Sequence, residues 1–302
     1  MRGDGERNGA AGHDCVACRE MVTPGRRGLR FGRRFQGPPG NVNGGVVIGA
    51  LTCLARTASG LADASVAEVR ARLHRGIPQA RDLSVEATVA GAEVGLTMAD
   101  GDTVVATASV TVVGTDELRA GRRPVAFGPD RIDPLRRLAE PSAVQLDFAA
   151  RHPHRPGPAG DDFAGCFVCG AANPEGLRVR AEPMAEGLAW AANPSASTFA
   201  EADGRLDTVI AVASLDCPAV PCVDALDVLR PEESVLLGSF TAEFLAVPPA
   251  TVDGGYRLPS RFVRREGRKV STDIALTDAA GNVYAVADAT WVTVPRTPVP
   301  PL

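Results

Sequence analysis

The feature that most restricts this chain is that it repeats itself. Cys15-Val16-Ala17-Cys18 is followed by Pro24 and then by Gly28-Leu29-Arg30. Far downstream, Cys166-Phe167-Val168-Cys169 is followed by Pro174 and then by Gly176-Leu177-Arg178. Two cysteines, a proline and a Gly-Leu-Arg that opens a strand recur in the same order, which predicts a duplicated domain. A length of 302 residues leaves room for both copies.

The rest of each half supports the duplication. In the first, Pro38 and Pro39 force an extended backbone ahead of Asn43-Gly44-Gly45, and the apolar residues that follow predict a helix over Asn43–Ala58. Asn43 is a good N-cap, and Gly44 and Gly45 leave the first N–H groups uncovered by side chains. Those donors stand at the positive end of the helix dipole, where a carbonyl oxygen or an anion can dock. The apolar residues fill nearly the whole circumference, so the helix should be wrapped by a sheet. Period-two alternation then predicts strands at Val66–His74, Leu83–Val89, Ala92–Met98 and Thr103–Val113.

The second half reads alike. A helix at Leu206–Ala219 precedes strands at Ser234–Ala246, Tyr256–Arg264, Lys269–Leu276 and Val283–Val294. The expected organisation is a disordered stretch over residues 1–14, domains at 15–113 and 163–295, a crossover at 114–162 and a tail at 296–302. The crossover is proline-rich, with one short helix expected near Pro134–Ala139.

Composition excludes several classes. No run reaches the roughly 18 apolar residues of a membrane span, and the first thirty residues lack a signal-peptide core. Net charge is −4 and Lys269 is the only lysine, so no nucleic-acid footprint is present. These features place the protein in the cytoplasm, where seven cysteines read as reduced thiols.

Three stretches carry a family likeness. Cys166-Phe-Val-Cys169-Gly-x-x-Asn173-Pro-x-Gly176-Leu177, the Asn43-Gly44-Gly45 helix start and Gly281-x-Val-Tyr-Ala-Val-Ala-x-Ala-Thr-Trp291-Val resemble the hotdog acyl-CoA thioesterases, particularly the phenylacetate-degradation type. The resemblance covers about residues 15–113 and 163–295. It implies an α+β fold: two tandem hotdog domains, each an antiparallel sheet curled around a central helix, paired as a pseudo-dimer. It also implies an acyl-CoA or acyl-carrier thioester as substrate, with coenzyme A entering only as part of it and no separate cofactor. Two pseudo-dimers could pack into a larger assembly. The fold also hosts dehydratases and non-catalytic acyl binders. No histidine stands at the spacing from an acid that a hydratase would use.

In the resembled family, a backbone N–H at the helix start stabilises the oxyanion. A carboxylate about nine residues farther along the partner's helix acts as base or nucleophile. In this sequence Asn43 stands where the family commonly has histidine, and that spacing reaches Thr52, which is not an acid. In the second half it links Asp207 to Asp216, with Thr208 and Val209 in place of the glycines. Each half has thus kept one piece. Gly45, with Gly44, would face Asp216 in one composite site, while Asp207 and Thr52 would form a degenerate one. Asp216 could instead terminate its helix before Pro218, Asn43 could simply be a cap, and Thr52 could bond its own backbone.

Two further groups have double readings. Arg264, Arg265, Arg268 and Lys269 surround a hairpin turn and would suit the phosphates of coenzyme A, or form a solvated hairpin. The pairs Cys15/Cys18 and Cys166/Cys169 would suffice for a four-sulfur zinc site if they met, with buried structural thiols as the default. Cys53, Cys217 and Cys222 follow no pairing pattern, and His152 and His154 lie in the proline-rich crossover.

Overall fold

The computed structural model describes residues 15–22, 28–61, 63–121, 127–137, 163–177, 179–185, 188–193, 199–219, 228–253 and 255–296. Residues 1–14, Cys222, both crossover histidines and the tail after Arg296 lie outside the described residues. The order begins α1 (Val16–Glu20), β1 (Gly28–Arg30), α2 (Gly44–Ala58), β2 (Ala64–Leu73), β3 (Asp82–Ala90), β4 (Glu93–Asp100) and β5 (Thr103–Gly114). Two short helices follow, α3 (Thr115–Arg119) and α4 (Pro129–Arg137). The remainder is β6 (Arg180–Ala185), β7 (Leu188–Asn193), α5 (Thr208–Ser214), β8 (Glu233–Phe244), β9 (Tyr256–Arg257), β10 (Ser260–Glu266), β11 (Lys269–Thr277) and β12 (Val283–Pro295).

These strands form one antiparallel sheet in the order β1-β3-β4-β5-β2-β8-β12-β11-β10-β7-β6, with β9 attached to β11 and β7. The seam between the halves is the β2–β8 pair, in register from Glu68 opposite Glu243 to Arg72 opposite Ser239. Outward from that seam the halves run β2-β5-β4-β3 and β8-β12-β11-β10, so the same sequence of pairings recurs on each side. The alternation in the sequence is the cause: β5 reads Thr-Val-Val-Ala-Thr-Ala-Ser-Val, and its in-phase positions Ala106, Ala108, Val110 and Val112 are buried. The strands predicted by alternation are present, with boundaries moved by at most two residues; the expected Tyr256–Arg264 strand is divided into β9 and β10 around Leu258-Pro259.

The two central helices α2 and α5 lie against each other, and one continuous core joins residues of both halves around them. Their backbones touch. A Cβ on Gly45 would lie 2.8 Å from the Cα of Ala213, and one on Gly49 would lie 2.7 Å from the Cα of Val209. Gly45 and Gly49 are one helical turn apart and fall on the same face of α2, so together they admit the second helix. Gly45 is therefore buried beneath α5 rather than uncovered, a correction to the sequence reading.

The second helix is also shorter than the expected Leu206–Ala219. It spans Thr208–Ser214, and a 3-10 turn takes over at Cys217–Ala219. Pro218 has no N–H to donate and disfavours helical backbone at Cys217, which ends the helix just before Asp216. The crossover helix, expected near Pro134–Ala139, is α4. Its Leu135, with Phe127, packs on Ala275 and Val286 of the second half. Arg131 reaches the buried Asp273 and stacks on Phe127.

Candidate functional site

The site forms where the start of α2 meets the end of α5. Asn43 caps α2: its side-chain oxygen accepts from Val46 N–H at 3.0 Å, satisfying one of the first-turn donors. The next donor finds a partner in the other half, for Gly45 N–H donates to Asp216 Oδ2 at 2.8 Å across 171 residues of sequence. The two pieces expected to face each other are thus in direct contact. The other carboxylate oxygen of Asp216 is buried and has no hydrogen-bond partner.

Burial dominates the electrostatics. Asp216 is 2% exposed, and loss of water around it raises its pKa from 3.8 to about 7, with the neighbouring Cys166 adding to the rise. The Gly45 N–H and Asn43 pull in the opposite direction but do not offset desolvation. A carboxyl balanced near neutrality can take or release a proton at little cost, as a general base must.

A loop from the second half covers this junction. Phe167 N–H donates to Gln36 O at 2.6 Å, the rings of Phe167 and Phe35 meet edge-on at 5.0 Å, and Asn173 Nδ2 donates to Arg34 O at 2.8 Å. This brings the second cysteine pair over the cap of the first helix. The Sγ atoms of Cys166, Cys169 and Cys217 all lie within 4.8 Å of one another, with Cys166 and Cys217 3.6 Å apart. Asn43 Nδ2 donates to both, at 3.4 Å to Cys217 Sγ and 3.7 Å to Cys166 Sγ. Thiols of Cys169 and Cys217 hydrogen-bonding to the Cys166 sulfur hold its pKa below the usual range, and those two neighbours are pushed up.

The opposite junction is built on the same plan with different residues. Asp207 caps α5, its Oδ1 accepting from Val209 and Ile210 N–H, while its Oδ2 accepts from Val16 N–H of the first cysteine pair at 2.6 Å. Burial, helped by the charge of Glu201, raises its pKa to about 6 against those three N–H donors. Thr52 donates to Ile48 O at 2.7 Å, one turn back along its own helix. Beside them Arg56 is 1% exposed and binds both oxygens of Glu201, with further bonds to Ala64 O and Thr208 Oγ1. A cavity of about 30 Å³ adjoins Arg56, Ser65, Arg205 and Thr208.

The four-sulfur grouping is not formed by its described members: Cys15 is disulfide-bonded to Cys53, Cys166 and Cys169 gather around Cys217, and the side chain of Cys18 lies outside the described residues. The expectation that all seven cysteines are reduced thiols is corrected by the same bond. Sequence reading found no role for Cys53 or Cys217. The signal was nonetheless present, since Cys53 follows Asn43, and Cys217 follows Asp207, by the same ten residues.

The basic hairpin lies away from the junction. Ser260, at the start of β10, bonds Pro218 O at 3.0 Å, and the Arg264–Lys269 segment begins four residues beyond it. At about 3.3 Å per residue up to the hairpin turn, where Lys269 pairs back with Glu266, that is on the order of 13 to 20 Å from the turn after α5. Arg264 pairs with Glu266, Arg265 with Glu233, and Arg268 donates to Thr293 O.

No protein-family model matches the chain, and no curated protein matches it. Solved structures do. A tesB protein from Mycobacterium avium subspecies paratuberculosis aligns with a TM-score of 0.58 at 11% identity, over 91% of this chain and 96% of that one. A candidate thioesterase II from Thermobifida fusca gives 0.57 at 14% identity, over 92% and 97%. A protein of unknown function with a hot dog fold from Alicyclobacillus acidocaldarius gives 0.51 at 14% identity, over 92% and 96%. At these identities the likeness establishes the fold, which is the hotdog fold. Among the described residues, no helix is long and apolar enough to cross a membrane.

Proposed function

We propose that this hotdog-fold chain is a tandem duplication whose halves, bounded near 15–113 and 163–295, pair as a pseudo-dimer, and that it hydrolyses an acyl thioester at the Gly45–Asp216 junction. The observation that carries the reading is the 2.8 Å bond between Gly45 N–H and Asp216 Oδ2, which joins an oxyanion donor of one half to an acid of the other. Matched pairs at equal spacing, Asn43 with Asp207 and Thr52 with Asp216, support the duplication. The structural likeness to a candidate thioesterase II from Thermobifida fusca agrees with the chemistry.

In this mechanism the thioester oxygen displaces Asp216 Oδ2 from the Gly45 amide, and the amide stabilises the oxyanion as the carbonyl is attacked. Asp216, freed from that bond, takes a proton from water or attacks the carbonyl itself, and the thiol departs after protonation. Asn43 and Gly44 hold the helix start in place. Arg264, Arg265, Arg268 and Lys269 would meet the phosphates of a coenzyme A carrier, with Arg264, Arg268 and Lys269 exposed and Arg265 half-buried. The Asp207–Thr52 junction would be inactive, because Thr52 offers no carboxylate and both Asp207 oxygens already accept backbone N–H groups.

A second reading, an acyl or acyl-CoA binding protein without turnover, is favoured by one specific feature: in the resting arrangement the Gly45 donor is already satisfied. Release of free thiol from a panel of short, long and aryl acyl-CoAs separates the two. Wild-type turnover that falls about a hundredfold or more in Asp216→Ala supports the hydrolase. Turnover unchanged by the substitution would remove Asp216 from the mechanism, and tight acyl-CoA binding with no turnover would establish the binding protein.

A further inference from the structure

Six of the seven cysteines fall into two matched triplets, Cys15, Cys18 and Cys53 in one half and Cys166, Cys169 and Cys217 in the other. In each, a Cys-x-x-Cys pair stands upstream of the central helix, and the third cysteine lies ten residues past the helix cap. The second triplet gathers three sulfurs within 4.8 Å around a buried point, yet joins none of them in a disulfide. Tetrahedral zinc with sulfur ligands at about 2.3 Å requires sulfur–sulfur separations of about 3.8 Å, and the Cys166–Cys217 separation is 3.6 Å.

We propose that Cys166, Cys169 and Cys217 bind a zinc-class divalent cation, with Asp216, whose carboxylate lies outside the 4.8 Å sulfur group, turning to supply the fourth donor. Two observations beyond the spacing of the sulfurs point to a ligand. Asp216 Oδ1 is buried without a hydrogen-bond partner, and its residue directly precedes Cys217. Asn43 Nδ2 donates to both Cys166 and Cys217, an N–H···S arrangement that orients and stabilises metal-bound thiolates. Cys169 is the partly exposed member and gives the cation a route in from solvent. Binding would release the thiol protons, leaving thiolates that favour soft cations over magnesium or calcium. The cation would tie the loop carrying Cys166 to the end of α5, closing the junction from the second half. The site shares Asp216 with the proposed hydrolysis, but ligation by the three sulfurs is read separately from thiol release.

The test uses the full chain purified under reducing, chelator-free conditions, with metal content measured directly. About one zinc per chain is expected. After chelation, Co²⁺ added to the wild-type protein should produce a sulfur-to-cobalt charge-transfer band, a readout of ligation separate from coenzyme A release. Cys166→Ser and Cys217→Ser should weaken Co²⁺ binding by about a hundredfold or more, whereas Cys15→Ser should leave it unchanged. Asp216→Asn should alter the cobalt spectrum while the sulfur bands persist. A folded wild-type protein with reduced thiols, no metal and no cobalt band would overturn the proposal. So would a Cys166–Cys217 disulfide in the mapped peptides, or cobalt binding that survives Cys217→Ser and is lost in Cys15→Ser.

Discussion

Replacing Asp216 with Asn separates the cost of burying a charge from the benefit of the bond it makes. In the folded protein Asp216 is buried and its pKa is raised from 3.8 to about 7. The folded state therefore holds a proton through a pH range in which the unfolded chain has already lost it. Such a group leaves stability untouched below about pH 4, erodes it as pH rises towards about 7, and imposes its full penalty above that. A difference between 3.8 and about 7 corresponds to a charging cost on the order of 4 kcal/mol at alkaline pH.

Asparagine has nearly the same shape, remains neutral, and can still accept from Gly45 N–H through its carbonyl oxygen. Against this gain, its NH₂ group brings donors into a buried place, at about 1 to 3 kcal/mol if they are unmatched. Urea unfolding of chelator-treated wild type and Asp216→Asn should therefore give opposite orderings. The variant should be more stable by about 1 to 3 kcal/mol near pH 8.5, and equal or less stable near pH 4.5. Asp207, raised to about 6 by burial, contributes the same sign of slope in both proteins and cancels from the difference. A stability difference that stays constant across this pH range would refute the reasoning, because a group charged in both states, or in neither, has no such slope.

Gly49→Ala should destabilise the fold by about 1 to 3 kcal/mol despite the better helix propensity of alanine, since its Cβ meets the backbone of Val209 at 2.7 Å; thermal unfolding checks this. Arg56→Met leaves the buried Glu201 with only its longer 3.8 Å ion pair to Arg205 and should cost about 3 to 5 kcal/mol, part of which Arg56→Met/Glu201→Gln should recover in urea titrations. Asn43→Ala removes the α2 cap and should cost about 0.5 to 2 kcal/mol by the same titration. Arg265→Ala on the partly exposed hairpin pair with Glu233 should change stability by no more than about 1 kcal/mol, read from the shift in thermal midpoint.

Local pattern was enough for the long α2 and the strands on both sides of the sheet. Periods of 2 and 3.6 are properties of neighbouring residues, so they can be read along the chain. The nine-residue spacing that leads from Asp207 to Asp216 was equally legible, and it singled out Asp216, which meets Gly45. Other features depended on partners distant in sequence. That Gly45 and Gly49 serve a helix crossing follows only once Val209 and Ala213 are known to lie on them. The Gly45 amide looked open because its acceptor is 171 residues away. The cysteines were misgrouped for the same reason: a Cys-x-x-Cys motif does not show which third sulfur it will meet, whereas folding placed Cys217 beside one pair and Cys53 beside Cys15. Sequence determines which side chains are available at each helix start. Only the packing of one half on the other decides which of them share a buried volume, and burial there raises the pKa of Asp216 to about 7.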